Sequence, residues 1–280
     1  MKKGALKTLY AIDFEYDGQY LSDYGFIICD FESSSGTVVA NAGSTISFNK
    51  VSRHNGMLYS LSHVSYDECI QTTFDICKDP DKFEEYEERM ISNDECRDLM
   101  RWLNRKEFLK FQVFDYENER DTCYFNVSFN VEKIKIAEKL VGLRLTMESD
   151  RPFGYGQEIT TEWTFSEANS YKVLSDMSDE IGYIYPDLTI KINQSGDLSI
   201  YNELLNCTMT INNCMVGEII TILGNEQIIS TTYVSHDIAN DFNYEFFKIG
   251  NTINNRNNRI SSNLPCKLTI KYTPIIKDTP

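Results

Sequence analysis

The chain of 280 residues lacks long apolar runs. No stretch approaches the roughly 20 uninterrupted apolar residues that a membrane-spanning helix needs. The start of the sequence, residues 1–7, is not followed by the apolar segment of a signal peptide. We therefore expect neither secretion through a signal peptide nor insertion into a membrane.

Cysteine and histidine are too few and too dispersed for the common disulfide or metal frameworks. The eight cysteines contain no C-x-x-C pair, and there are three histidines. A disulfide scaffold is denser in cysteine, and a zinc site here would need thiolates from distant segments. We predict that all eight cysteines are reduced and that the protein needs no metal or cofactor. The cysteines are Cys29, Cys69, Cys77, Cys96, Cys123, Cys207, Cys214 and Cys266.

Basic residues are also scarce. The chain has 27 Lys and Arg residues against 42 Asp and Glu residues, which gives a net charge of −15 and a pI near 4.7. The acidic excess is spread over both halves of the chain. Such a surface repels a phosphate backbone, so the electrostatic footprint of a nucleic-acid-binding protein is missing.

The familiar catalytic motifs are absent. The sequence has no G-x-S-x-G, H-E-x-x-H, P-loop, dinucleotide-binding glycine fingerprint or EF-hand loop. His63 and His236 lie in strand-like polar runs, which favours structural histidines over general bases. Acidic pairs such as Glu87-Glu88 are expected by chance among 42 acids. We therefore predict a protein that is not an enzyme and has no catalytic residue.

What the sequence does contain is alternation with a period of two, the pattern of strands with one buried face. With 41% hydrophobic residues, the chain has enough apolar material for a folded core. Asn55-Gly56 and Gly224-Asn225 are typical of two-residue β-hairpin turns. Five alternating runs predict strands: Ile70 to Ile76, Phe125 to Val131, Val141 to Met147, Leu188 to Ile192 and Leu198 to Ile200.

One amphipathic helix is predicted over residues 93–106. Ser92 and Glu95 have the spacing of a capping box. The expected buried stripe and the basic C-terminal end consist of Cys96, Leu99, Met100 and Leu103, and of Arg101, Arg105 and Lys106. Trp102 lies beside the stripe and is predicted to pack in the core. The acidic run at residues 83–89 predicts a solvated loop.

A domain boundary is predicted near residue 150, where a strand runs into the Pro/Gly-rich residues 148–156. This divides the chain into residues 1–150 and 151–280. The second part consists of short antiparallel strands without a comparable helix. Residues 251–263 are rich in asparagine and too polar to bury, which predicts a loop.

Several short motifs occur in one order along nearly the whole chain, and together they identify a family. They are Phe14 to Gly18, Leu21 to Ile28 with its Ser-x-Tyr-Gly segment, Leu99 to Leu103, Ser149 to Phe153, Tyr185 to Ile190, Ile200 to Asn202, Gly217 to Ile222 and Lys267 to Tyr272. In these motifs the chain resembles the distal tail proteins of long-tailed, siphovirus-like bacteriophages and prophages. The matching positions are expected to be structural: Gly18, Ser22, Tyr24, Gly25, Trp102, Pro152, Pro186, Asn202 and Tyr272.

The resemblance implies a mainly β protein. It implies an N-terminal β-rich belt domain with one short α-helix (residues 1–150) and a C-terminal galectin-like antiparallel β-sandwich (residues 151–280). Such proteins assemble as hexameric rings at the distal end of the virion tail, after synthesis in the host cytoplasm. The implied partners are further copies of the chain, the tail tube protein, the tape-measure and hub proteins and the receptor-binding proteins, with DNA present only in transit.

The acidity has two interpretations in such a ring. An acidic channel wall would repel DNA and let it slide, whereas a basic wall would bind it. Alternatively, the charge of −15 keeps the protein soluble. The sequence leaves both open.

A second functional class is a carbohydrate-binding sandwich that recognises host cell-wall glycans. A galactose site would need polar and aromatic side chains clustered on one sheet face. The candidate residues are scattered along the sequence: Trp163, His236, Asn243 and Arg256. A β-sandwich by itself does not imply sugar binding, so protein contacts are the expected use.

Overall fold

The structure, a computed structural model, describes residues 11–31, 46–53, 58–66, 69–114, 123–168 and 170–278. The chain forms two compact units. Unit 1 comprises the residues up to Tyr155 and those from Lys277, and unit 2 comprises Gly156–Ile276. Both units consist mainly of antiparallel strands, which confirms the predicted fold class.

Unit 1 has ten strands and one α-helix among its described residues. A short 3₁₀ helix at Leu21–Tyr24 follows the first hairpin. The elements are β1 Asp13–Tyr16, β2 Gln19–Tyr20, β3 Phe26–Cys29, β4 Ile46–Arg53, β5 Leu58–Tyr66, β6 Gln71–Lys78, α1 Asn93–Leu103, β7 Leu109–Phe114, β8 Phe125–Ile136, β9 Lys139–Ser149 and β10 Gly154–Tyr155.

Seven of these strands form one antiparallel sheet in the order β2-β1-β7-β8-β9-β6-β3. The predicted strands at residues 70–76, 125–131 and 141–147 are confirmed as β6, β8 and β9. Their apolar positions face one side, because side chains alternate across a strand. Strands β4 and β5 form a separate hairpin with Arg53 opposite Leu58, as Asn55-Gly56 predicted, although those two residues lie outside the described part.

The core of unit 1 is rich in aromatic rings. The Phe14 ring stacks on Trp102 at 5.6 Å and contacts Phe74, Phe111 and Phe129 at 5.3–6.1 Å between centroids. Helix α1 supplies Trp102 from above the sheet. The prediction that Trp102 packs in the core is confirmed.

The start of α1 agrees with the sequence, but its end does not. The Ser92 hydroxyl accepts from the Glu95 amide at 3.2 Å, and the Glu95 carboxylate accepts from the Ser92 amide at 2.8 Å. The helix stops at Leu103 instead of residue 106, and the Asn104 side chain donates to the Phe129 carbonyl at 3.0 Å. Arg105 therefore lies beyond the last turn, where its guanidinium pairs with Asp17 at 3.2 Å.

Unit 2 has twelve strands and one short helix among its described residues. The elements are β11 Ile159–Phe165, β12 Tyr171–Ser175, β13 Gly182–Ile184, β14 Asp187–Ile192, β15 Gly196–Asn202, β16 Cys207–Cys214, β17 Ile219–Leu223, β18 Ile228–Thr231, α2 Ile238–Asp241, β19 Ile249–Asn251, β20 Asn257–Ser262, β21 Cys266–Tyr272 and β22 Ile275–Ile276. With 11 and 4 residues, α1 and α2 are too short to cross a bilayer.

Unit 2 is a β-sandwich. One sheet has the order β11-β21-β14-β17-β18 and the other has the order β12-β20-β15-β16. Alternate residues of both sheets enter one buried cluster, including Ile190 and Ile220 from the first sheet and Ile200 and Ile211 from the second. The two inner faces thus cover each other, as in other two-sheet packings.

The predicted two-residue turn at Gly224-Asn225 is wrong. Leu223 pairs with Ile228, so the connection has four residues. Gly224 has another role, because a Cβ there would lie 2.3 Å from the Pro186 carbonyl oxygen and 2.4 Å from that of Tyr185. Glycine is present here for a close backbone approach and not for a hairpin turn.

The prediction of a loop at residues 251–263 is also wrong, since β20 occupies Asn257–Ser262. Asn251 and Asn258 are buried. The Asn258 side chain accepts from the Gly250 amide at 2.7 Å and donates to the Gly250 carbonyl at 2.9 Å. A polar amide tolerates burial when such bonds replace its contacts with water.

His236 does not lie in a strand. It lies in the connection between β18 and helix α2. His63 lies on β5, as its strand-like surroundings predicted. The acidic segment at residues 83–89 is a largely exposed loop, which confirms that prediction.

Candidate interaction surfaces

The N-terminal motif positions build a tight turn and fasten it to α1. Asp17 and Gly18 have φ values of 52° and 73°, and Tyr16 pairs with Gln19, so these two residues form the hairpin turn between β1 and β2. A Cβ on Gly18 would meet no atom within 4 Å. Glycine is therefore favoured here by the left-handed backbone conformation and not by a lack of space for a side chain.

Ser22, Tyr24 and Gly25 follow this turn. Gly25 ends the 3₁₀ helix with φ of 77°, and its amide donates to the Ser22 carbonyl at 3.0 Å. The Tyr24 ring stacks on Trp102 at 4.7 Å between centroids, and Trp102 Nε1–H donates to the Tyr16 carbonyl at 3.0 Å. Burial raises the pKa of Tyr24, and the negative charges of Asp98 and Asp23 raise it further. Five of the predicted motif positions thus meet in one structural cluster.

The motif around Pro152 lies in a bend after β9. The Arg151 guanidinium lies 3.5 Å from the centroid of the Tyr155 ring, whose other neighbour is the Tyr124 ring at 5.1 Å. The Tyr155 hydroxyl donates to the Asp150 carboxylate. Burial and that carboxylate raise the pKa of Tyr155 to about 12. These contacts order the residues that follow β9.

The motif positions of unit 2 are buried. Asn202 is fully buried, and its side chain donates to the Lys248 carbonyl and to Asn258 Oδ1, both at 2.8 Å. The Tyr272 hydroxyl donates to the Ser175 carbonyl at 3.4 Å, and burial raises the pKa of Tyr272 to about 12. Pro186 is buried against Gly224.

A buried polar cluster anchors the segment after β18. The His236 side chain is 2% exposed and the Glu218 side chain 0%. His236 Nδ1 lies 2.6 Å from Glu218 Oε1, and Glu218 also accepts from the Thr231 hydroxyl and, at 2.8 Å, from the Met215 amide. Burial alone would raise the pKa of Glu218, but these hydrogen bonds lower it below its ordinary value of 4.5. His236 is therefore a buried hydrogen-bonding partner of Glu218, although it does not lie in the strand-like run that the sequence suggested.

The residues considered for sugar binding do not form a site. The His236 imidazole is buried. Trp163 lies on β11 of one sheet, whereas the Asn243 side chain bonds to Thr208 and Thr210 of β16 in the other. Arg256 lies in the connection that precedes β20. These four residues therefore do not converge on one sheet face.

The β4–β5 hairpin of unit 1 carries an uncovered apolar surface. Strands β4 and β5 pair with each other and with no other described strand. Large apolar side chains along the hairpin are about half exposed. They are Ile46, Phe48, Val51, Tyr59, Leu61 and Val64.

A second apolar feature is a groove of about 280 Å³ beside edge strand β3. Lys78, which is buried beneath this region, pairs with Glu95 at 2.7 Å and donates to the Glu88 carbonyl at 2.9 Å. Burial raises the pKa of Glu95, but the hydrogen bond from Lys78 to its carboxylate outweighs this effect, and the pKa is lowered. The groove is lined by Phe31, Cys77, Lys78, Pro80, Tyr86, Arg89, Met90, Ile136 and Val141.

Two cysteines interact at the same sheet edge. Cys29 on β3 donates its thiol hydrogen bond to Cys77 on β6, and this bond, together with burial, raises the pKa of Cys29. The same bond lowers the pKa of Cys77, although burial opposes that shift. All eight cysteines are free thiols in the structure. Among the described residues, no three His, Cys, Asp or Glu side chains are placed to hold a metal ion.

Sequence reasoning missed the hairpin's apolar face, the groove and the Glu218–His236 cluster. The alternation in residues 46–66 was visible, but no pattern indicates that a hairpin stands apart from the sheet. The groove and the cluster join residues far apart in sequence, and their single residues carry no local motif.

Comparison with known proteins agrees with this architecture. A model described as a phage tail protein N-terminal domain matches residues 9–151, and one described as a phage tail C-terminal domain matches residues 153–272. The chain is 25% identical over 191 residues to the SPbeta prophage-derived protein YomH of Bacillus subtilis (strain 168), covering 67% of this chain and 71% of the relative.

The fold is similar to the crystal structure of the SPP1 Dit (gp 19.1) protein, which is described as a paradigm of the hub adsorption apparatus in phages that infect Gram-positive bacteria. The match has a TM-score of 0.66 at 11% identity and covers 94% of this chain and 98% of that one. The two family models span most of the sequence, and the resemblance noted in the motifs is confirmed: this chain belongs to the phage tail protein family.

Proposed function

We propose that the protein is a ring-forming hub at the distal end of a phage tail. In this role it joins the tail tube to the baseplate and receptor-binding machinery. The observation that carries the proposal is the shared fold with the Dit hub protein over 94% of the chain, combined with phage tail family models on both units. The role is architectural, with unit 1 as the ring-forming belt and unit 2 as a galectin-like sandwich.

The proposed ring is a homohexamer held mainly by unit 1. The exposed apolar hairpin supports this assignment, since an uncovered hydrophobic face of this size marks an interaction surface. No comparable reason favours the carbohydrate-binding alternative, because its candidate residues do not converge among the described residues.

Native mass spectrometry and negative-stain images, with and without the cognate tail tube protein, test this function. We expect a cyclic species of six times 32.4 kDa, at high protein concentration or on addition of the tube protein. Only monomers under both conditions would overturn the hub assignment.

DNA transit is part of the same proposal. An acidic channel wall would repel the duplex and let it slide during ejection. Replacing lumen-facing acids by lysine should then slow DNA ejection. Undiminished ejection, or a lumen lined by Lys and Arg, would leave solubility as the role of the −15 charge and would not affect the hub assignment.

A further inference from the structure

In unit 2, the fold buries one ring nitrogen of His236 without a hydrogen bond. Its Nδ1 lies 2.6 Å from Glu218 Oε1, whereas its Nε2 is buried and makes no hydrogen bond to any described residue. A second carboxylate lies beside Nε2, since Asp241 Oδ2 is 3.3 Å away. The side chains of His236 and Asp241 are 2% and 21% exposed, and that of Glu218 is fully buried. The imidazole therefore lies between two carboxylates, one at each ring nitrogen.

This arrangement determines which protonation state of the ring fits. A neutral imidazole donates through one nitrogen and presents a lone pair on the other. Donation from Nδ1 to Glu218 would leave the Nε2 lone pair facing an oxygen of Asp241, and the other tautomer would create the same conflict at Glu218. An imidazolium donates through both nitrogens, and its positive charge offsets the cost of burying the anions. The two carboxylates therefore favour the doubly protonated ring.

The elements packed around the ring hold both carboxylates in place. The Thr231 hydroxyl at the end of β18 and, at 2.8 Å, the Met215 amide between β16 and β17 donate to Glu218. The Asn213 side chain of β16 donates to Asp241 Oδ1 at 2.9 Å. The anions are therefore positioned by three separate segments of the sandwich.

Three further titratable side chains lie on these neighbouring elements: Cys214 on β16, Asp197 on β15 and Asp237 before α2. Burial and the charge of Glu218 raise the pKa of Cys214 to about 12, so its thiol is neutral at pH 7. The Asp197 carboxylate accepts from a backbone amide of β16 at 2.9 Å, and Asp237 is exposed. All three are neutral or negative at pH 7, so they do not compete with a positive charge on the ring.

The segment that carries His236 and Asp241 covers an edge of the sandwich. Helix α2 contacts both β16 and β18, which are edge strands of the two different sheets. Ile238 of this helix packs against the buried apolar cluster, and Phe242 directly after it is 4% exposed. A helix of four residues is not stable by itself, so its position depends on contacts with the sheets.

We propose that His236 is an imidazolium that bridges Glu218 and Asp241 and thereby latches residues 232–242 over the sandwich edge. A change of charge in either direction opens this latch. As the pH rises, loss of the Nε2 proton removes the attraction to Asp241. As the pH falls, the carboxylates become neutral, in the case of Glu218 through a pKa below its ordinary 4.5. Opening uncovers Ile238 and Phe242.

NMR of the full chain labelled with ¹⁵N-histidine measures the charge of the ring. The chain has three histidines, and the signal that is absent from His236→Gln belongs to His236. We expect two similar ring-nitrogen shifts at pH 7, the signature of an imidazolium, which separate widely as the pH is raised. Widely separated shifts at pH 7 indicate a neutral tautomer and would overturn the proposal.

Amide hydrogen exchange of residues 232–242, followed by mass spectrometry, measures the latch itself. Asp241→Asn keeps the shape of the side chain and an acceptor for Asn213 but removes the charge, so at pH 7 exchange should become about tenfold faster. Glu245→Gln removes the same charge from an exposed residue outside the bridge and should leave exchange unchanged. Exchange in the peptides of β20 and β21 checks that each variant folds. An Asp241→Asn variant with wild-type protection would exclude the latch.

The wild-type chain supplies a test that needs no variant. After correction for the intrinsic effect of pH on amide exchange, protection of residues 232–242 relative to β20 and β21 should be greatest near neutral pH and fall on both sides. A flat profile would overturn the latch. Each of these outcomes leaves the hub assignment untouched, because that assignment is tested by the assembly of several copies.

Discussion

The two units treat their apolar strand faces differently. In unit 2, two sheets cover each other, and even Asn202 and Asn258 are buried with their hydrogen bonds satisfied. In unit 1, one sheet is covered by α1, while the β4–β5 hairpin leaves its apolar face in solvent. Among the described residues, the inner sheet faces of unit 2 are therefore buried, whereas the apolar side chains of the hairpin in unit 1 are about half exposed.

The largest expected effect concerns whether the two cores are independent. Trp102→Ala removes a ring that packs against Phe14 and Tyr24, and should cost about 3–5 kcal/mol in the free energy of unfolding of unit 1. Trp163 then remains as the single tryptophan, located in unit 2. We expect calorimetry to show a lower melting temperature for unit 1. Trp163 fluorescence should report an unchanged melting temperature for unit 2.

If the Trp163 transition falls by the same amount, the two units unfold together and the comparison between them fails. Trp163→Phe serves as the control, because it leaves Trp102 as the reporter of unit 1. This variant should have little effect on the first transition.

The next effect tests the buried asparagines of unit 2. Asn258→Ala leaves the Gly250 amide and carbonyl without their side-chain partner and should cost about 2–3 kcal/mol in urea unfolding. The neighbouring Asn257 is exposed, so Asn257→Ala is the matched control and should cost under about 0.5 kcal/mol. Equal costs would show that the buried amide adds nothing beyond the loss of a side chain.

The Glu218–His236 cluster predicts a dependence on pH. Because the pKa of Glu218 is lower in the folded protein than its ordinary 4.5, its stabilising contribution is present above that value and is lost as the pH falls through the lowered pKa. Glu218→Gln should cost about 1–3 kcal/mol at neutral pH, and this difference should vanish in strong acid. Thermal melts of the wild type and of the variant from pH 7 to pH 2 measure this difference in stability.

Glu226, which is exposed in the β17–β18 connection, supplies the comparison for Glu218. Glu226→Gln should leave the melts unchanged at every pH. A Glu218→Gln variant with the same melting curve as the wild type at neutral pH would contradict the assigned role of the cluster.

The smallest effect concerns the sheet edge beside the groove of unit 1. The Cys29 thiol lowers the pKa of Cys77, so Cys77 should have a larger thiolate fraction at neutral pH than Cys69, whose pKa is raised by burial and by Glu148 and Asp150. Because Cys69 is exposed and Cys77 is half-buried, the informative comparison is the alkylation rate of Cys77 with and without Cys29, measured by peptide mass spectrometry. In Cys29→Ala the rate at Cys77 should fall, and an unchanged rate would exclude the thiol pair.

The eight thiols also provide a direct test of the cysteine prediction. Titration in denaturant without reductant should count eight free thiols per chain. A lower count would reveal a disulfide that the sequence argument excluded.

Local patterns in the amino-acid sequence were enough to predict strands β6, β8, β9, β14 and β15 and the capped start of α1. These features depend on neighbours in sequence: alternation sets which side chains share a face, and a capping box spans three residues. The tail family was also recognisable, because its motifs keep their order along the chain.

Long-range contacts determined the rest. Asn258 looked too polar to bury until the Gly250 backbone supplied its partners, and Gly224 resembled a turn glycine until the Pro186 carbonyl lay against it. Helix α1 ended early where Asn104 met the Phe129 carbonyl. In each case the contacting group is distant in sequence or outside the local pattern. Because a buried polar group loses its water, the presence or absence of that contact determines whether the group can be buried. The uncovered hairpin follows the same logic, since exposure is a property of the packed molecule and not of the alternation that forms the strands.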